Sequence, residues 1–105
     1  NNLILYICMA KPQFKKVFED MWTDHKAELE HFMITHAKFA ADPKANRAEF
    51  NTEGEKIIEI IRHYESVLCG RSESTGYGNY TSKLAEKFWG EVRKVFPEID
   101  EIGIE

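Results

Sequence analysis

The sequence predicts an all-α fold, an antiparallel three-helix bundle made of a long helical hairpin and a shorter third helix, with short extended segments at both termini. Three observations carry this prediction. Apolar residues recur at three- and four-residue steps along three separate stretches of the 105-residue chain. Asp42-Pro43 and a glycine-bearing loop at 70–81 separate those stretches, and Pro97 ends the third. Two long helices and one short one then bury their stripes most economically against one another within a single helical domain spanning 1–105.

Helix one is expected over about 12–41. Pro12 suits a first helical position, where its missing N–H costs nothing. Phe14, Phe18, Met21, His25, Leu29, Phe32, His36 and Phe39 draw one continuous stripe, widened by Val17, Trp22, Met33 and Ala40. The helix would be about 45 Å long at 1.5 Å per residue. Asp42-Pro43 then reads as a turn, or as the cap and first residue of the next helix. Asn46 with Glu49 offers a second start one turn later.

Helix two is expected over 43–69, with Phe50, Gly54, Ile57, Ile61, Tyr64 and Leu68 on the buried face and Ile58, Ile60 and Val67 beside it. Gly54 on that face predicts a close approach by another helix, since glycine otherwise costs a helix about 1 kcal/mol. Gly70 suits the left-handed position that ends a helix. After loop 70–81, Thr81 or Ser82 caps a helix over 82–96 that buries Leu84, Phe88, Val92 and Val95. The tail 97–105 is expected to be extended. Residues 1–8 read either as sequence upstream of a Met9 start or as a short strand able to pair with that tail, and 1–11 as strand, disordered segment or extension. The third helix is too short to cover the whole hairpin, so the terminal segments or a second copy are expected to help bury helix one.

The net charge is −4, which argues against a general nucleic-acid binder. No apolar run approaches the roughly 20 residues of a membrane span. Cys8 and Cys69 make no disulfide framework and suit a reducing cytosol, so the chain is expected to be cytoplasmic.

Catalytic readings weaken one by one. His25 and His36 lie in the middle of helix one's stripe, about 16 Å apart along its axis, too far to share a metal ion. They read as core or boundary histidines, whereas His31 and His63 fall on outer faces. Glu28 and His31 have the spacing used in di-iron bundles, but the motif occurs once and lies off the core. Cys69 sits at a helix C-terminus, where the dipole disfavours a thiolate. No nucleophile elbow or phosphate-binding glycine loop is present, and Gly76-Tyr-Gly78 lacks the third glycine of a dinucleotide fingerprint. No metal site and no cofactor are expected.

Loop 70–83 remains. Arg71, Ser72, Ser74 and Lys83 combine a cation, hydroxyls and a following helix N-terminus, the ingredients of an anion site. Tyr77 and Tyr80 could stack a base or anchor a partner protein. The expected function is therefore a small non-enzymatic interaction or regulatory module, binding a protein partner or a second copy. The alternative is a phosphate- or nucleotide-binding protein using that loop.

Overall fold

A computed structural model of the chain describes residues 13–74 and 81–104, of which 71–74, 81 and 82 are described by backbone alone. The described residues are all-helical and contain four helices, so the expected three-helix count is corrected. They are α1 (Gln13–Asp24), α2 (Lys26–Ala41), α3 (Pro43–Ser74) and α4 (Thr81–Val95), followed by a short 3-10 turn at Ile99–Glu101.

The extra helix comes from a break at His25, whose φ of −122° and ψ of 30° leave the helical region. Thr23, Asp24 and His25 are all weak helix formers, and Asp24 is held from outside the helix: the Tyr64 hydroxyl of α3 donates to its carboxylate at 2.5 Å. The ladder still bridges the break, with the His25 N–H donating to Met21 and the Leu29 N–H to His25. The apolar spacing therefore passes through the break undisturbed, and spacing alone cannot reveal it.

The next corner follows the Asp42-Pro43 reading. Asp42 takes φ −148° and ψ 86°, the extended backbone that a following proline favours. Its carboxylate accepts from the Ala45 N–H at 3.3 Å. The Asn46 amide then ties both helices together, donating to the Lys38 and Asp42 carbonyls.

Helix α3 is the spine. At 32 residues it runs about 48 Å, matching the 50 Å long axis of the molecule, and it packs against α1, α2 and α4. Its length corrects another expectation: the backbone stays helical to Ser74, so Gly70 does not end it, and its φ is not positive. Among the described residues the left-handed glycine is Gly103 instead, at φ 88°.

Helix α4 covers α1 and the second half of α3, burying Phe88 and Val92. The tail covers what α4 cannot reach. Phe96 and Ile99 are fully buried, and Phe96 lies against Phe32 and Trp22. This tail is not extended. Pro97 stops α4, and the following amides turn back on carbonyls three residues earlier. Side chains of the hairpin hold it there. Arg47 and Asn51 both donate to the Ile104 carbonyl, at 2.6 and 3.2 Å, and Asn51 accepts from the Gly103 N–H. The strand expected at residues 3–7 lies outside the described residues.

Gly54 does mark a close approach, though by the tail rather than a helix. A Cβ there would lie 2.6 Å from the Ile102 side chain. His36 is buried as its place in the stripe implies, ringed by Phe32, Phe50 and Phe96, and its Nε2 accepts from the Glu98 N–H at 3.0 Å. That bond requires a neutral ring nitrogen. Burial holds the His36 pKa below its ordinary 6.5, opposed in part by the Glu98 carboxylate.

Because the folded pKa is depressed, His36 contributes stability fully above pH 6.5, where it is neutral in both states, and that stability is lost as pH falls through the folded value. Glu53 and Asp100, also held below their ordinary 4.5 and 3.8, add a second loss only in stronger acid. Thermal unfolding from pH 7.5 to 5 should therefore show a falling Tm in the native chain and a flatter profile in His36→Gln. Parallel profiles would exclude this role.

Candidate interaction site

The residues singled out in loop 70–83 are only partly placed. Arg71, Ser72 and Ser74 lie on the last turn of α3, so they belong to a helix end and not to a loop. Tyr77 and Tyr80 lie outside the described residues. Lys83 is exposed in the first turn of α4. No juxtaposition of the six is described.

Two grooves and one bare helix face stand out on the described surface. Between α2 and α3, a groove of about 410 Å³ is lined by Ala27, Glu28, His31, Phe32, Glu53 and Lys56, among others. Thr35, on the inner side of α2, is only 2% exposed, and a buried hydroxyl needs a partner. Its Oγ1 donates to Glu53 Oε2 at 2.6 Å, and Glu53 Oε1 lies 3.3 Å from His31 Nε2. The Thr35 hydroxyl bond is the main reason the Glu53 carboxyl sits below its ordinary pKa, with His31 adding to it.

His31 lies exposed on the outer face, as its place on the wheel suggested, and also reaches Glu53; nothing in the spacing within α2 signals that partner on α3. This cluster resembles a hydroxyl–imidazole–carboxylate triad in composition only. The carboxylate stands in the middle, so the imidazole does not touch the hydroxyl, and Thr35 is closed to a substrate. Its work is to clamp α2 onto α3.

His25 pairs with Glu28 at 3.3 Å across the helix break. Among the described residues no three of His, Cys, Asp and Glu converge as metal ligands. No helix there is long and apolar enough to cross a membrane. A second groove, about 560 Å³, runs between α3, α4 and the tail beside Trp89, Arg62 and Gly103. Arg93 at its edge is already held by Asp100, at 3.0 and 3.2 Å, and stacks over Trp89.

No family model, curated protein or solved structure matches the chain.

The bare face belongs to α2. Its inner side buries Leu29, Phe32, Thr35, His36 and Phe39. At 100° per residue, Ile34 points directly away from that side, with Ala27, Ala37 and Ala41 around it and Glu30 and Lys38 one turn before and after it. Ile34 is 59% exposed and Met33 beside it 44%. The expectation that Met33 widens the buried stripe is thus corrected: it lies about a quarter turn from the core, on the flank of the outer face. An exposed isoleucine and methionine among small residues, rimmed by charges, make a contact surface for another element. Here the molecule is 19 Å deep, about two helices, and nothing among the described residues lies over Ile34.

Proposed function

We propose that this chain is a small non-enzymatic interaction module that docks a protein helix on the outer face of α2. The exposure of Ile34, with Met33 and three alanines around it, is the observation that carries this reading. Large apolar side chains anchor interfaces, and flanking alanines let a second helix come close. Two cysteines in an ordinary composition favour a cytoplasmic setting, and the charge of −4 favours a protein over a nucleic acid as partner.

Site-specific photocrosslinking in cells tests it. A benzophenone side chain at position 34 should give a discrete protein adduct, and the same group at exposed position 86 on α4 should not. Equal labelling from both positions, or none from position 34, would overturn the reading.

A further inference from the structure

Resting on that reading, we infer that the occupant of the α2 outer face is the same face of a second copy, running antiparallel with Ile34 on the two-fold axis. Two features of α2 select this partner. The first is the spacing of its small and apolar residues. Ala27, Ile34 and Ala41 recur every seven residues, the period that keeps one seam facing a partner helix through a left-handed crossing of about 20°. An isologous pairing centred on Ile34 sets residues equidistant from it opposite each other. Ala27 of one copy then meets Ala41 of the other, and the two Ile34 side chains meet on the axis.

The second feature is charge. Glu30 and Lys38 each lie four residues from Ile34, one turn before and one turn after it. The antiparallel pairing therefore sets Glu30 of each copy at the height of Lys38 of the other, twice by symmetry. A parallel pairing would set Glu30 against Glu30 and Lys38 against Lys38, which repel. Glu30 makes no side-chain bond or ion pair among the described residues, and Lys38 only reaches Glu49 at 4.0 Å. The charges are thus available to a partner that carries this same pattern reversed, and α2 itself carries it.

The contact length sets the strength. Sixteen residues span about 24 Å, and a strip one helix wide over that length buries on the order of 1,000 Å² in total, the low end of specific interfaces. An area of this size fits a weak, reversible dimer and not an obligate one.

Sedimentation of the full chain over a concentration series decides it, with circular dichroism confirming that each variant folds. The native chain should shift from monomer to dimer, more weakly as salt rises. Ile34→Asp should weaken the dimer at least tenfold by bringing two carboxylates together on the axis. Glu30→Lys and Lys38→Glu should each weaken it about three- to tenfold, and the double variant should recover to within about twofold. A native chain that stays monomeric overturns the proposal, as does a dimer indifferent to Ile34→Asp or a double variant no better than the singles. The crosslink at position 34 separates this from the broader reading. An adduct to a different protein, with a monomeric purified chain, overturns the second copy and keeps the docking face. An adduct within one chain to residues 1–12 overturns both.

Discussion

Phe50→Ala should remove about 3–5 kcal/mol of stability, the ordinary loss for emptying a fully buried phenylalanine site. Phe50 is the hub of an aromatic cluster that joins the two arms of the hairpin. Its ring stacks on Phe39 with centroids 3.9 Å apart and planes within 8°, and on Phe32 at 5.6 Å. On its open edge Arg47 lies over the Phe39 ring. Removing Phe50 therefore leaves the faces of two other rings without contacts and opens a cavity that helices on both sides are too constrained to close. A domain of this size has roughly 5–15 kcal/mol in total, so the variant should unfold at a much lower urea midpoint. Phe39→Ala measured alongside, and the pair together, should lose less than the sum. A loss below 1 kcal/mol for Phe50→Ala would show that the cluster is not the core.

Gly54→Val should cost about 2–3 kcal/mol, although valine is a better helix former than glycine. Glycine is required by contact, because the position is buried and a Cβ would fall 2.6 Å from Ile102 Cγ1 and Cδ1 and 3.0 Å from Cγ2. Ile102 branches at Cβ and cannot swing aside cheaply, and the tail behind it is held by Arg47 and Asn51. The diagnostic is the partner change. Gly54→Ala should destabilise the native chain but stabilise one carrying Ile102→Ala, where the added methyl enters vacated space. The same sign in both backgrounds would mean that the tail does not pack there.

These two residues also mark what was legible in the sequence. Phe50 and Gly54 both stand on a stripe read directly from spacing, and the stripes of α3 and α4 place the core residues Ile57, Ile61, Leu68, Phe88 and Val92. The partner of Gly54 was not legible, because a glycine records that something comes close and not what. The break at His25 was hidden because the four-residue step from Met21 to His25 to Leu29 is the same on either side of it. The end of α3 was misplaced for a different reason: one glycine costs a helix only about 1 kcal/mol, which a 32-residue helix absorbs readily. The outer face of α2 was obscured by counting Met33 as core, which left Ile34 unremarked. Its significance rests on what fails to cover it, and that is a property of three dimensions.

The tail has a consequence for the order in which the molecule assembles. Its bonds to Arg47 and Asn51 join residues 52 to 57 positions apart. Closing a free loop of that length costs about 3.5 kcal/mol in chain entropy, as much as three or four such bonds contribute at about 1 kcal/mol each. The clasp therefore gains little while the intervening chain is loose. Once α4 lies on α3 the same ends are already near one another, and the cost has largely been met. The segment after Pro97 should be the last to settle and the first to lift away, a latch on a hairpin already formed.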